Sequence, residues 1–419
     1  MLKKCQNRNS KWRKWFSIGP QNVCRQCAES IRGLIKLHEL SRPKKLLVFI
    51  NPQSGSKTGE KIYRRKVAPL FSLCEIQTKV IVTQTENHSK DVLRETDLSD
   101  YDGIVCVGGD GTLSEIANGY LQRCYRDGHI DWDNPETVLP RPRLPIGVIP
   151  TGSGDTIVRF MNETRSVTTA TIHIILGRTR GIDFGSVHNR HKLLSYTCLL
   201  IGYGLYGRLI EAIEIRRWLP GRIRYSVIPM IELLNVRSFD VKVQMLKPVI
   251  EKESQEGNTS HGNRDPEKTR IQPDTKWEWS NQYEGPLLGV DSFIVHLMPV
   301  GNSMRPYMGN GLAQVTLVKN CSRISHLSHL IKLMDRSPGF YDYDFIEEHN
   351  VKGYRVEAFP KSQGRRIPEM YLMNCDGDLI KLEEPCFEVR VHKELIKLFT
   401  WIDEDWPEWV ETKSETLSR

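Results

Sequence analysis

Ile104-Val105-Cys106-Val107-Gly108-Gly109-Asp110-Gly111-Thr112, with the helical stretch Leu113 to Gln122 behind it, decides how this chain is read. Four apolar residues in a row suit a strand buried on both faces. The glycines that follow let the backbone approach a ligand closely, because a residue without Cβ leaves room for phosphate or hydroxyl oxygens. Asp110 is thus a lone carboxylate at a strand-to-helix turn. Gly-Asp-Gly is also ordinary turn composition, so the meaning of these residues depends on their company.

Working outward, short β-branched runs alternate with helical periods from Lys45 to about Val187, the pattern of a parallel α/β layer. The strands expected are Leu46 to Ile50, Lys79 to Thr83, Ile104 to Val107 and Ile146 to Ile149, with amphipathic stretches such as Ser89 to Thr96 between them. Beyond Arg190 the rhythm changes to period two, in Ser195 to Leu200, Phe239 to Val243, Phe293 to Leu297 and Phe387 to Val391. That alternation predicts antiparallel sheet, sandwich-like, interrupted by helices at Gly204 to Trp218 and Ser325 to Met334. The fold expected is an α/β N-terminal lobe with a parallel sheet, a mostly antiparallel β C-terminal lobe, and a nucleotide cleft between them.

The domain limits follow from these changes of pattern. Residues 45–190 form the α/β lobe and 191–404 the β-rich lobe, while 405–419 is a polar tail. Residues about 249–280 are polar and nearly free of large apolar groups, which predicts a disordered insertion. Residues 1–44 carry Trp12, Trp15 and Phe16 ahead of a helical stretch, Asn22 to Leu40, whose apolar side needs a cover.

At 419 residues, with 39% hydrophobic and 26% charged side chains, the composition is that of a water-soluble globular chain of about two domains. No apolar run of about eighteen residues is present, and the first residues lack the apolar stretch of a secretory leader, so a cytoplasmic location is expected. The ten cysteines are scattered, and the close pair Cys24 and Cys27 has no second pair at zinc spacing. The net charge of +8 favours anionic partners. Aromatic and basic residues are not interleaved as on a nucleic-acid surface, which excludes nucleic acid as the expected partner.

Four segments each end a strand with chemistry suited to one task. Asn51-Pro52-Gln53-Ser54-Gly55-Ser56-Lys57 could form an anion-binding nest from its backbone amides. Thr83-Gln84-Thr85-Glu86-Asn87-His88 supplies hydroxyls and amides, Gly108 to Gly111 is followed by Glu115 one helical turn on, and Pro150-Thr151-Gly152-Ser153-Gly154-Asp155 precedes another helix. Neither a Walker loop nor Gly-x-Gly-x-x-Gly after the first strand is present. Phosphoryl transfer needs positioning, a metal to spread charge and a base for the attacking hydroxyl, and Asp110 is the acid seated inside a glycine turn.

The combination of Asn51-Pro52, Gly108-Gly109-Asp110-Gly111-Thr112-x2-Glu115, Pro150-x-Gly152-Ser153 and Asp376-Gly377-Asp378 resembles the diacylglycerol kinase catalytic domain superfamily, and within it the ceramide kinases. The likeness extends through Arg42 to Pro52, Arg65 to Phe71, Tyr101 to Gly111, Gly202-Tyr203-Gly204-x-Tyr206-Gly207 and Cys321-Ser322-Arg323. It implies an ATP-dependent lipid kinase using Mg2+, acting on the primary hydroxyl of ceramide at a membrane to which it binds peripherally. Carried over by position, ATP would be met by Asn51, Pro52, Gln53, Thr83, Gln84, Thr85, Glu86, Asn87, Glu115, Gly152, Ser153, Gly154, Arg217, Arg224, Asp376, Gly377 and Asp378. The lipid head would meet Gly108, Gly109, Asp110 and Gly111, with Asp110 as base; no metal ligand is assigned. The same likeness implies that residues 1–44 are the end of a pleckstrin-homology module and its connecting helix. Departures are Arg208, where the family usually carries an acid, Arg222 as a competitor of Arg224, and Asp378 in place of a glutamate. Open alternatives are a diacylglycerol or sphingoid-base acceptor, and a catalytically silent lipid-binding protein.

Overall fold

The computed structural model describes residues 42–249 and 275–400, apart from 163, 217, 220–226, 229–230, 233–236, 301–302, 308, 336–341 and 360–366. The N-terminal helical stretch, most of the expected insertion, the polar tail, Arg217, Arg222 and Arg224 lie outside the described residues.

Strands β1 (Lys45–Ile50), β2 (Gln77–Val82), β3 (Gly103–Gly108) and β4 (Ile146–Pro150) form a parallel layer in the order β4-β3-β1-β2. Its central strand explains why the apolar runs are unbroken. Leu47 and Phe49 of β1 enter one core, while Leu46, Val48 and Ile50 enter another on the opposite face. Burying each such side chain contributes about 1.5–3 kcal/mol.

Helices cover both faces. The run Gly59–Ile62, Tyr63–Val67 and Ala68–Leu73, together α1 with a π turn in its middle, lies on the second face. Helices α2 (His88–Glu95), α3 (Asp110–Asp127) and α4 (Thr156–Asn162) contribute Leu93, Leu113 and Ile157 to the first. Helix α5 (Val167–Leu176) returns to the second with Ala170 and Ile174. α3 begins at Asp110, three residues ahead of the expected Leu113, so the glycine turn closes directly into a helix.

The remaining elements are β5 (Thr179–His188), β6 (Leu193–Thr197), β7 (Leu200–Gly204), α6 (Leu205–Ile215), β8 (Phe239–Pro248), β9 (Trp277–Phe293), β10 (His296–Val300), β11 (Ser303–Tyr307), β12 (Ala313–Lys319), α7 (Arg323–Asp335), β13 (Ile346–Val351), β14 (Gly353–Phe359), β15 (Leu372–Cys375), β16 (Asp378–Lys381) and β17 (Cys386–Phe399). They pair antiparallel, and β9 spans two layers. Its first part pairs with β8 and its last part, from Leu287, with β7 and β12. A core of Val241, Val243, Val290, Val315, Tyr354 and Val389 fills the space between.

Three expectations need correction. β9 starts at Trp277, so residues 277–280 of the polar stretch are strand. Their period-two pattern hides behind charge, because Trp279 lies under the guanidinium groups of Arg355 and Arg390, 4.0 and 4.7 Å from its centroid. The run Ser195 to Leu200 is broken at Cys198 and Leu199, and Phe293 to Leu297 at Ile294 and Val295. The first break exists to wrap a carboxylate, described below.

β17 joins the halves. It pairs with β14 and β5, and its last turn meets β4 at Leu398 opposite Ile146, placing Leu395, Ile396 and Leu398 in the core of the parallel layer. The boundary near residue 190 therefore divides the chain but not the sheet. No described helix is long and apolar enough to cross a membrane.

Candidate functional site

Three loops cross at the carboxyl ends of β1, β3 and β4, and backbone sterics dictate glycine where they touch. A Cβ on Gly109 would lie 2.9 Å from the Cα of Gly152, and one on Gly152 would lie 2.5 Å from the Cα of Gly109. Gly55, at φ 54°, crosses the same place, where a Cβ would sit 2.2 Å from the Thr151 carbonyl oxygen. Gly111 has no atom within 4 Å of its Cβ position and is exposed. The crossing is closed below and open above.

Asp110, first residue of α3, lies inside this crossing. Its Oδ2 accepts from the Thr156 amide at 2.9 Å and its Oδ1 from the Ile157 amide at 3.1 Å, so it caps α4. Backbone N–H groups at a helix start favour a negative group. Burial nonetheless outweighs them and raises the Asp110 carboxyl above its ordinary value. The Thr156 side chain also hydrogen-bonds the carboxylate, whose four lone-pair sites still leave room for a further donor. A positioned, more basic carboxylate can take a proton from a hydroxyl.

A fully buried acid, unassigned by the sequence motifs, shapes the loop around it. Asp155, 1% exposed and at φ 49°, accepts from the Gly152 amide at 2.8 Å and from Arg165 Nε and Nη2 at 3.1 and 2.5 Å. Arg165 Nη2 also donates to the Gly152 carbonyl at 2.7 Å. Asp155 could be noticed as the end of the glycine-rich stretch. Arg165 stands ten residues further on, in a segment without periodic pattern, and offers no sequence signal.

Several side chains assigned to ATP serve the scaffold. Asn51 donates Nδ2–H to Thr112 Oγ1 at 3.0 Å and accepts the Gln53 amide at 2.9 Å, tying its loop to α3. Thr83 is buried and donates to the Ile50 carbonyl. Glu115 Oε1 accepts from the amide and hydroxyl of Ser89 at 2.8 and 2.5 Å, which caps α2 and fixes the segment before it. Gln84, Thr85, Glu86 and Asn87 in that segment, together with Gln53, Ser153 and Gly154, are exposed, while Pro52 and Gly152 are partly so. Under them the Cys106 thiol is pushed well up, first by burial and then by the charges of Asp110, Asp155 and Glu115.

Asp376 behaves differently. At φ 53°, between β15 and β16, it accepts from the Thr197 hydroxyl at 2.5 Å and the amides of Cys198, Leu199 and Leu200 at 2.8, 2.9 and 3.0 Å. These donors explain the broken run: β6 ends so that its backbone can curl around the acid. Burial still raises the Asp376 carboxyl. The buried Cys198 thiol is raised by burial first, then by both Asp376 and Asp110, which puts the two turns within electrostatic reach. Gly377 and Asp378 are exposed beside it. Arg208 is tied to Glu211 at 2.8 Å and to buried Glu232 at 3.3 Å, so its charge serves as an internal link from α6.

Comparison with known proteins agrees with this arrangement. Residues 45–187 match the diacylglycerol kinase catalytic domain, and residues 199–412 match the ceramide kinase C-terminal domain. A crystal structure of a diacylglycerol kinase from Bacillus anthracis superposes with a TM-score of 0.53 at 14% identity, covering 86% of this chain and 97% of that one, which establishes the fold. The class defined is an ATP-dependent lipid kinase.

Among curated relatives, ceramide kinase of Homo sapiens is 32% identical over 443 residues, covering 94% of this chain and 80% of its own length. Sphingosine kinase 1 of Arabidopsis thaliana is 31% identical over 365 residues, covering 82% and 70%. The chain belongs to the ceramide kinase family.

Proposed function

We propose that this protein transfers the γ-phosphate of ATP to the primary hydroxyl of ceramide, giving ceramide 1-phosphate and ADP. The observation that carries the reading is Asp110: half-buried, held by two amides of α4, raised in basicity, and placed beside the open side of Gly111. As the acceptor oxygen bonds to the γ-phosphorus and the bridging oxygen departs with ADP, the hydroxyl proton moves to Asp110.

In this reading ATP contacts fall to the exposed Gln53, Gln84 to Asn87, Ser153 and Gly154, with Pro52, Gly152 and Gly377 lining the approach. Asn51, Thr83, Glu115 and Asp376 act as positioning residues through the contacts above. Arg217 and Arg224 remain assigned to phosphate oxygens by position alone. Gly108, Gly109 and Gly111 let the acceptor head reach Asp110.

Among the described residues no group of three or more His, Cys, Asp or Glu could hold a metal. That suits Mg2+ carried in on the nucleotide, since this ion keeps several waters and needs one or two protein carboxylates beside the phosphates. Exposed Asp378 is the carboxylate we assign to it. When bound, Mg2+ spreads the charge of the transferring phosphoryl group. The lipid acceptor resides in a bilayer, and the net charge of +8 supports peripheral binding to anionic membranes that salt weakens.

The test is phosphate transfer from labelled ATP to ceramide, diacylglycerol and sphingosine in mixed micelles. Ceramide should be the best acceptor by kcat/KM. Preference for either other lipid would replace the substrate, and no transfer to any of them by folded protein would leave a silent lipid-binding protein.

A further inference from the structure

Two buried polar groups take no part in the machinery above. Asp291 of β9 and Thr316 of β12 are 8% and 4% exposed, and Asp291 Oδ1 and Thr316 Oγ1 have no hydrogen-bond partner among the described residues. A buried polar atom left unpaired costs about 1–3 kcal/mol, so packing alone does not account for keeping them.

They belong to one row across the sheet. Gly202 of β7 stands opposite Asp291, Asp291 opposite Thr316, and Thr316 opposite Glu348 of β13. Opposed residues on one sheet face hold their Cβ atoms about 4.5–5.5 Å apart, so carboxyl and hydroxyl flank a single spot. Glu348 closes the far end by accepting from Gln314 at 2.7 Å. At the near end Gly202 lets α6 approach closely: a Cβ there would lie 2.6 Å from the Tyr206 Cβ and 3.4 Å from Asp291 Oδ1, so Tyr206 borders the row on that side.

The face on which this row lies connects it to the reaction. Ile201, Tyr203, Val290, Val315 and Leu317 point into the core between the β layers, so the alternating Gly202, Asp291 and Thr316 point the other way. Two residues back on that same face, Leu200 and Phe293 are register partners and pack against the core of the parallel layer. The Leu200 amide itself donates to Asp376. The row therefore runs from the junction of the two halves, beside the Asp376 turn, into the β-rich half.

We infer that Asp291 and Thr316 form the polar subsite for the amide and hydroxyl segment of the acceptor lipid, an inference resting on the lipid-kinase reading. Burial pushes the Asp291 carboxyl well above the usual range, so its neutral form offers an O–H donor beside a C=O acceptor. An N-acylated amino alcohol presents N–H, O–H and C=O to such a pair. A diacylglycerol, with esters in the same place, presents no N–H.

The experiment uses the full chain, wild type beside Asp291→Leu, Asp291→Asn and Thr316→Val. Binding of fluorescent short-chain ceramide and diacylglycerol is measured without ATP, then kcat/KM for each lipid, KM for ATP and the thermal midpoint. Asp291→Leu should lower the ceramide-over-diacylglycerol preference about tenfold, the worth of one hydrogen bond, with KM for ATP unchanged. Its thermal midpoint should equal or exceed that of wild type, because an unpaired buried group is removed. Asp291→Asn, which keeps a donor and an acceptor, should stay within about threefold of wild type, and Thr316→Val should fall between the two. An unchanged preference in folded Asp291→Leu, or a wild type whose binding favours neither lipid, would overturn the subsite. If wild type binds ceramide without phosphorylating it, the ceramide-kinase reading fails while the binding ratios still decide the subsite.

Discussion

The turn at Asp110 and the turn at Asp376 share a composition, aspartate beside glycine at the end of a short strand; Asp376 is buried and Asp110 half-buried. They differ in what the fold supplies to the carboxylate. Asp376 receives a hydroxyl and three amides, which bind β6, β7 and β15 together. Asp110 receives two amides, one on each oxygen, and the Thr156 side chain, all from the start of α4, and lies beside the open side of Gly111. Asp291 marks the far end of the series, with Oδ1 unpartnered among the described residues. The donors of Asp376 tie separate strands together while those of Asp110 all come from one helix start, a difference that residue type alone does not show.

Removing the structural acid should do the largest damage to folding. Asp376→Ala would leave four buried donors unpaired, and at about 1 kcal/mol or more for each the loss should reach about 4 kcal/mol in denaturant unfolding. Near-wild-type stability of Asp376→Ala would erase the contrast. A smaller effect is expected next to the proposed base. Arg165→Met removes the partner of Asp155 and the clasp on the Gly152 carbonyl, and should raise KM for ATP about tenfold with kcat little changed. An unaltered KM would show that the clasp does not shape the nucleotide side.

The pH dependence sharpens the same comparison by a smaller amount. Burial raises Asp110, so the base is lost to protonation as pH falls through that raised value. The acid limb of kcat/KM should have its midpoint above the ordinary carboxylate value of about 3.9. The sign for stability is opposite. Because the charged form is disfavoured in the folded state, Asp110 costs stability above its unfolded pKa, and Asp110→Asn relieves that cost at neutral pH. An acid limb unchanged in Asp376→Asn would complete the separation of roles.

The parallel layer was legible because β1, β3 and β4 are buried on both faces and read as unbroken apolar runs. The glycine crossings were legible too, since backbone contact at Gly109 and Gly152 permits no side chain. The first residues of β9 were hidden, because Trp277 and Trp279 are covered by Lys352, Arg355 and Arg390 rather than by apolar groups. Asn51, Glu115 and Asp376 were recognisable as site residues, but the hydrogen bonds that tie them to other elements reach partners 26 to 179 positions away, and direction over such distances has no periodic signature. Arg165 and the return of β17 to the parallel layer depend on tertiary packing in the same way.

The most direct measurement is transfer of labelled phosphate from ATP to ceramide by wild type and Asp110→Asn, with matched thermal midpoints showing both folded. Loss of the base should lower kcat about 10²–10⁴-fold, with KM for ATP little changed. Transfer by folded Asp110→Asn at the wild-type rate would contradict the assignment of Asp110 as the base.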